Sequence, residues 1–115
     1  MKCGLSVIDL KLYKSHWFLV IINSTELNKI TINGVLRSPK TSEKAIYLSR
    51  KFLHLGKNEI EIEFSNKIGN LDYGIFKYTS KKDGVYILSH FEPYGANLAF
   101  PCFDQPDIRS TFKLV

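Results

Sequence analysis

The sequence contains few cysteines and no long apolar run, and each scarcity excludes a class of protein. The two cysteines, Cys3 and Cys102, permit one disulfide but no disulfide framework, which favours a reducing, cytoplasmic compartment. The longest apolar run, Trp17 to Ile22, has six residues, far fewer than the ~20 that a membrane helix needs. Asp9 interrupts the N-terminal apolar stretch, so no secretion signal is visible.

The chain has 115 residues, about the usual size of one domain, which excludes a large enzyme. Sixteen Lys and Arg residues against eleven Asp and Glu give a net charge of +5. These basic residues are scattered, and only Arg50-Lys51 and Lys81-Lys82 are adjacent. The charge therefore predicts a solvated surface, with neither nucleic acid nor a membrane as partner.

Apolar residues mostly recur with the period of two that is typical of strands, and no segment of ten or more residues has a helical period. The clearest case is Asn58 to Ser65, in which three apolar residues alternate with three glutamates. We expect one buried and one wet face there, with a turn over Leu55 to Asn58 before it. The continuous run Trp17 to Ile22 predicts a central strand covered on both faces, or a short buried helix. The fold class predicted is all-β.

Two sequence signals predict hairpins. Asn33-Gly34 follows the alternating stretch that ends with Ile30 and Ile32, and it offers the positive backbone angles of a tight turn. Asp83-Gly84 lies between Ile75–Tyr78 and Val85–Leu88, which we expect to pair with each other. Ile108 to Val115 is suited to a further strand.

Residues 91 to 107 form the long loop that we predict in this chain, because Pro93, Pro101 and Pro106 each remove a backbone donor from any regular ladder. Pro93 is well placed to begin a short helical turn through Asn97 or Leu98. Cys102 beside Asp104 suggests a nucleophile or a metal ligand, but a buried structural cysteine is the simpler interpretation. The loop phenylalanines Phe91, Phe100 and Phe103 are interpreted as anchors that pack onto the sheet.

The string from His90 to Asp107, HFEPYGANLAFPCFDQPD, resembles a loop in the N-terminal β domain of the aminopeptidase N family of zinc aminopeptidases. Its eight consecutive residues A-F-P-C-F-D-Q-P are far more specific than a short glycine motif. Looser resemblance extends over roughly residues 20 to 115, whereas residues 1 to 16 remain unplaced. The resemblance implies a single, incomplete N-terminal β domain over residues 1 to 115, a mostly antiparallel sandwich or saddle-like sheet.

In this family the resemblance places zinc in a separate catalytic domain, held by an H-E-x-x-H motif and a downstream glutamate. None of His16, His54 and His90 is followed by glutamate, so we expect no catalytic residue, no metal ligand and no cofactor in this chain. The implied function is that of a non-catalytic N-terminal domain, whose partner is the catalytic domain of an aminopeptidase. The alternative is a free-standing β-sandwich module that binds protein and has no peptidase function.

Glu92 stands where the family has a carboxylate that receives the free α-amino group of a bound peptide, which makes Glu92 the first candidate substrate-binding residue. His90, the second candidate, stands where many relatives have glutamine in the first substrate pocket. Asn97 replaces the arginine that relatives usually carry. The resemblance also implies a cis bond between Glu92 and Pro93, since proline lowers the cis penalty to about 0.5–1 kcal/mol.

The family's N-terminal domain continues beyond the position of Val115, so the resemblance implies that the strand from Ile108 to Val115 ends the sheet with an unpaired edge. We therefore expect self-association through this C-terminal edge strand whenever no catalytic domain covers it. Two copies can then complete each other's ladder without any additional sequence.

Overall fold

A computed structural model describes residues 2–12, 18–23, 26–70, 72–104, 108–109 and 111. Within them the chain forms nine strands: β1 (Lys2–Leu12), β2 (Phe18–Ile21), β3 (Glu26–Ile32), β4 (Val35–Leu36), β5 (Lys40–Thr41), β6 (Ala45–Leu48), β7 (Gly56–Asn66), β8 (Gly74–Ser80) and β9 (Gly84–His90). Two short 3₁₀ helices span Arg50–Phe52 and Ala96–Leu98. The strands that pair do so antiparallel, and the all-β prediction is confirmed.

Strand β7 joins most of the first sheet, whose strand order is β1-β7-β3-β4. It pairs along its whole length with β1, from Gly56 opposite Leu12 to Asn66 opposite Lys2. The predicted alternation is present, because Ile60, Ile62 and Phe64 are buried while the intervening glutamates are exposed or half-buried. Strand β1 therefore incorporates most of the N-terminal segment that the sequence left unplaced.

The turn predicted over Leu55 to Asn58 ends earlier than expected, since Gly56 and the two residues after it already belong to β7. Asn58 explains the difference, because its side chain is fully buried and holds the preceding backbone. Its amide donates to the carbonyl oxygens of His54 at 2.7 Å and Gly56 at 3.2 Å, and its Oδ1 accepts from the His54 amide at 3.1 Å. Gly56 has a φ of +92°, a value that favours glycine.

Among the described residues the second sheet has the order β2-β6-β5, so residues 18–21 form a strand as predicted, but the expected central position of Trp17 to Ile22 is wrong. In the part of the chain that the structure describes, β2 pairs with β6 alone and so lies at the edge of this sheet, while Trp17 is outside that part. Val20 and Ile22 are buried, as the apolar run predicted. The apolar run correctly predicted that the residues are buried, but not where the strand lies in the sheet. The position of a strand in a sheet depends on its neighbouring strands, and the sequence of the run contains no information about them.

The two larger sheets pack against each other through one apolar cluster, which makes the fold a sandwich. The second sheet contributes Val20, Ile46 and Leu48, with Ile22 directly after β2. The first sheet contributes Ile30, Ile32, Ile60, Ile62 and Phe64. Phe100 and Phe103, from the long loop, pack against this cluster.

Both predicted hairpins are confirmed. Asn33 and Gly34 have φ angles of +52° and +77° in the turn between β3 and β4. Strands β8 and β9 form a separate two-stranded sheet, joined by a turn that ends at Gly84 with a φ of +99°. Ile75–Tyr78 and Val85–Leu88 face each other across it, as expected.

The strand predicted from Ile108 to Val115 falls largely outside the described residues. Its described members, Ile108, Arg109 and Thr111, are not in a strand. In the part of the chain that the structure describes, no helix has the length and apolar character needed to cross a membrane.

Candidate functional site

The candidate site is the loop that leaves the end of β9, and it begins with a cis peptide bond between Glu92 and Pro93. This bond was predicted and is confirmed. The amide of Gly95 donates to the Phe91 carbonyl at 2.6 Å, which closes the turn around the cis bond. The 3₁₀ helix Ala96–Leu98 follows, as the position of Pro93 predicted.

Glu92 and His90 both lie at this turn, and both side chains are exposed. The His90 ring makes an edge-to-face contact with Tyr73, at 5.9 Å between ring centroids and an angle of 80°. The Tyr73 hydroxyl accepts a hydrogen bond of 2.8 Å from the Tyr94 amide. Tyr73 therefore braces the chain on both sides of Glu92, whose carboxylate is presented to solvent from a well-defined turn.

Asn97 and Asp104 hold the far end of the loop. The Asn97 side-chain amide donates to the Tyr94 carbonyl at 2.9 Å and to the Asp104 carboxylate. The backbone amide of Asn97 also donates to Asp104 Oδ2, at 3.3 Å. Asn97 is buried, so this asparagine, at a position where the sequence resemblance implies an arginine, has a structural function of its own in this chain.

Phe100 and Phe103 anchor the loop to the sandwich, as predicted, whereas the contact of Phe91 is with Phe100. Phe91 and Phe100 meet edge to face at 6.1 Å between centroids and 86°, and Phe100 and Phe103 reach the core cluster. Pro101 is fully buried. The Asn66 side chain, at the end of β7, donates to the Leu98 carbonyl at 3.1 Å, which connects the 3₁₀ helix to the first sheet.

Two glycines allow the close approach of backbone and side chains at this site. A Cβ added at Gly95 would lie 2.9 Å from the His90 carbonyl oxygen and 3.1 Å from Cζ of Tyr73. A Cβ added at Gly74 would lie 2.8 Å from the Leu98 Cβ, and Gly74 also has a φ of +76°. Larger residues at either position would displace the loop from the hairpin.

Cys102 does not have the properties of a nucleophile. Burial, followed by the nearby Asp104 carboxylate, raises the pKa of the Cys102 thiol to about 11. A catalytic thiol needs the opposite shift, because the thiolate is the reactive form. Cys102 is a free thiol. The sequence predicted a buried structural cysteine, and the structure shows a half-buried one.

The described residues include no group of three His, Cys, Asp or Glu side chains that could hold a metal ion. His54 Nδ1 lies 3.3 Å from the side-chain nitrogen of Asn33, and the His90 ring packs against Tyr73. His16 lies outside the described residues. The side chains that the structure describes therefore do not fit a zinc site.

Sequence reasoning identified Glu92 and His90, and the structure places both at one turn. It missed Tyr73, which contacts His90 and accepts from Tyr94 although it precedes the loop by about twenty positions in the sequence. The available signal was the Tyr73-Gly74 pair, an aromatic residue beside a glycine at a strand start. Such a pair indicates close packing but not its partner.

Comparisons with known proteins agree with this geometry. The family model described as the Peptidase M1 N-terminal domain matches residues 7–115. A "Probable aminopeptidase 1" of Sulfurisphaera tokodaii is 45% identical over 91 residues, which are 77% of this chain and 11% of that protein. A "Probable M1 family aminopeptidase 1" of Encephalitozoon cuniculi is 44% identical over 62 residues, which are 54% of this chain and 7% of that protein.

Among solved structures, the native leukotriene A4 hydrolase of Saccharomyces cerevisiae superposes with a TM-score of 0.71 and covers 96% of this chain. This chain covers 19% of that protein at 20% sequence identity, so the likeness concerns the fold. The chain belongs to the Peptidase M1 N-terminal domain family. It spans about a tenth of the length of the two aminopeptidases named above.

The family assignment confirms the resemblance found in the sequence. The match begins at residue 7, so it includes part of the segment that the resemblance left unplaced. The site roles expected for Glu92 and His90 concern a whole enzyme and are taken up below.

Proposed function

We propose that this chain functions as the non-catalytic N-terminal β domain of an aminopeptidase, in which the Glu92 loop binds the free N-terminal amine of the peptide substrate. The observation that carries the proposal is the exposed Glu92 carboxylate at a turn braced by Tyr73 and Gly95. A fixed carboxylate recognises an ammonium group by a charge-assisted hydrogen bond. Such a group distinguishes peptides with a free N-terminus from blocked ones.

The proposal divides the work between two parts of an enzyme. The catalytic domain of the family supplies the zinc chemistry, which the described side chains of this chain do not fit. The present domain contributes substrate orientation through Glu92. His90 lines the same turn, where its imidazole can donate to the peptide when neutral but opposes a bound ammonium group when charged. The comparisons do not favour the alternative of a free-standing binding module.

A fusion protein tests this function. The chain is joined to the catalytic domain of the Sulfurisphaera tokodaii relative in place of that protein's matching segment, and kcat/KM is measured with an aminoacyl reporter. Glu92 is exposed in this domain, and in the fusion protein the catalytic domain and the bound peptide are expected to cover it. Glu92→Gln is therefore expected to lower kcat/KM by an amount equivalent to about 2 to 5 kcal/mol, the usual loss for one partner of a buried charge pair. Glu59→Gln, an exposed glutamate on β7, serves as the matched control and should leave kcat/KM unchanged.

A reporter without the α-amino group shows whether the loss concerns amine recognition. With this reporter the fusion protein and its Glu92→Gln variant should have equal, low activity. A fusion protein that hydrolyses free and blocked substrates equally well, or a Glu92→Gln variant with unchanged kcat/KM, would refute the proposed role of Glu92.

A further inference from the structure

The sequence contains one Asn-Gly pair, and this pair forms the whole turn between β3 and β4. Ile32 pairs with Val35, so only Asn33 and Gly34 lie between the strands. Both have a positive φ, as a type I′ turn requires, and asparagine followed by glycine suits such a turn well. The same pair is chemically reactive, because glycine has no Cβ that keeps its backbone nitrogen away from the asparagine side chain.

Deamidation at this pair needs only the chain and water. The Gly34 backbone nitrogen, after losing its proton to the solvent, attacks Cγ of Asn33 and forms a new C–N bond. The bond between Cγ and Nδ2 breaks, and ammonia leaves with a proton taken from water. Water then opens the cyclic imide on either side of its nitrogen, which gives aspartate or isoaspartate at position 33. The overall change is a water molecule taken up and an ammonia molecule released.

In the folded chain hydrogen bonds hold the Asn33 side chain at both of its ends. Its Oδ1 accepts from the Glu59 amide at 2.9 Å, and its Nδ2 donates to Asn58 Oδ1 at 3.0 Å. Nδ2 also lies 3.3 Å from His54 Nδ1, which acts as the acceptor because an amide nitrogen carries only donors. The Asn33 backbone amide donates to the Glu59 carbonyl at 2.8 Å. The carboxamide and the adjoining backbone are therefore both fixed.

These bonds direct the Asn33 side chain away from the nitrogen that would attack it. Strand β3 lies between β7 and β4 in the first sheet. Asn58 and Glu59 belong to β7, whereas Gly34 leads into β4 on the opposite side of β3. For Cγ to meet the Gly34 nitrogen, the Asn33 side chain has to leave its partners on β7.

We propose that Asn33 is a deamidation site controlled by the fold: the turn has to open before the chain modifies itself, and the modified turn no longer fits the sheet. The second part follows from Asn58, whose Nδ2 donates to the carbonyls of His54 and Gly56 and whose Oδ1 therefore faces position 33. A carboxylate at position 33 has no donor for this oxygen, so two acceptors would meet beside a fully buried side chain.

Isoaspartate would fit the turn less well than aspartate. It lengthens the backbone within a turn of two residues, whose length sets the pairing of Ile32 with Val35. Every group in this argument belongs to one chain, and the reaction is irreversible once ammonia has left. Each opening of the turn thus carries a chance of a permanent change that weakens the first sheet.

The first experiment compares deamidation in the folded and the unfolded chain. The 115-residue chain is incubated at one alkaline pH with and without urea, and mass spectrometry of its peptides measures aspartate and isoaspartate at position 33. The folded chain should react at least ~10-fold more slowly, because the hydrogen bonds of Asn33 have to break first. Equal rates in the two states would overturn the proposal.

The second experiment removes the partners of Asn33 Nδ2. Asn58→Ala should raise the rate in the folded chain at least ~3-fold and leave the rate in urea unchanged. Asn97→Ala is the matched control, because its bonds lie in the long loop and its loss should lower stability without freeing Asn33. The control should keep the slow rate. An equal rise in both variants would show that global unfolding controls the reaction and would overturn the proposal.

His54→Ala keeps the test decisive if Asn58→Ala does not fold. His54 is exposed, and this variant removes the longer of the two Nδ2 contacts. The rate in the folded chain should rise, but by less than in Asn58→Ala. Unchanged rates in every folded variant that lacks a partner of Nδ2 would overturn the proposal.

The third experiment tests whether the product fits the turn. Asn33→Asp reproduces one product, and its equilibrium constant of unfolding, obtained from urea curves, should be at least ~5-fold larger than that of the parent. Asn70→Asp makes the same change of charge at an exposed asparagine and should match the parent. Because the chain has a net charge of +5, an added negative charge does not by itself explain a loss. Equal stability of the two variants would overturn the second part of the proposal.

Discussion

The Tyr73 hydroxyl accepts a hydrogen bond from the Tyr94 amide at 2.8 Å, and this bond joins the start of the hairpin to the loop that carries Glu92. The contact spans 21 positions of sequence. The two residues of this bond lie on either side of the β8–β9 hairpin in the sequence. The loop and the hairpin form one unit through Tyr73.

Removing the Tyr73 hydroxyl tests this connection. Tyr73→Phe keeps the ring against His90 but leaves the Tyr94 amide without its protein acceptor, so the free energy of unfolding should fall by about 1 kcal/mol. Tyr78→Phe, on the exposed part of β8, is the matched control and should have no effect. Urea unfolding curves measure both. Equal stability of the two variants would show that the Tyr73 bond contributes nothing.

Asn97 should contribute more than Tyr73, because it is buried and serves two acceptors. Asn97→Ala leaves the Asp104 carboxylate and the Tyr94 carbonyl without its side-chain amide. We expect a loss of about 1 to 3 kcal/mol in unfolding free energy. Asn70→Ala, at an exposed asparagine, should stay within about 0.5 kcal/mol of the parent. An unchanged free energy of unfolding in Asn97→Ala would contradict the structural role assigned to Asn97.

Asn58 supports the first sheet in the same way. Asn58→Ala removes its bonds to His54, Gly56 and Asn33 from a fully buried position. The expected loss is about 1 to 3 kcal/mol, since buried backbone groups lose their partners. Asn28→Ala, which removes a single bond from an exposed residue to Ser65, should cost less. Thermal unfolding of both variants decides the order.

Cys102 should react slowly. Its pKa of about 11, against an ordinary 9.0, lowers the thiolate fraction below pH 9 by ~100-fold. Iodoacetamide should therefore alkylate the folded Cys3→Ser protein far more slowly than the same protein in urea. The rate in the folded protein should rise with pH up to about 11. An inflection near 9.0 would show that restricted access, and not the pKa, slows the reaction.

The same shift fixes the sign of a stability effect. The unfolded chain loses the Cys102 proton near pH 9.0, whereas the folded chain keeps it until about 11. The stabilising contribution of the protonated thiol is therefore complete below pH 9.0 and is lost between these values. Cys102→Ala should lack this part of the alkaline decline, which parallel melting curves at pH 8 and pH 11 would show.

Local patterns predicted the elements whose partners are close in sequence. The alternation over Asn58–Ser65, the Asn33-Gly34 turn and the β8–β9 hairpin follow from side-chain period and turn chemistry alone. The position of β2 at a sheet edge and the pairing of β1 with β7 depend on residues more than twenty positions apart. A local pattern does not contain that information.

The site shows the same division. The loop motif identified Glu92, His90 and the cis bond through family resemblance, and the prolines predicted the irregular backbone. The bracing by Tyr73 could not be predicted because it depends on how the loop packs against the start of the hairpin, and the bonds of Asn97 could not because they depend on how the loop folds back on itself. The asparagine at position 97 showed that the arginine implied by the resemblance is missing. It did not show that the Asn97 side chain would bind Tyr94 and Asp104 instead.

Gly74 limits how this part of the chain can vary among related sequences. Its contact with Leu98 excludes any side chain while position 98 carries one, and its φ of +76° disfavours side chains for a separate reason. Only glycine at position 98 would relieve the first restriction, because the closest contact is with the Leu98 Cβ, and the second restriction would remain. Substitutions at position 98 therefore do not allow a side chain at position 74. Any related chain that keeps this hairpin start should retain glycine at position 74.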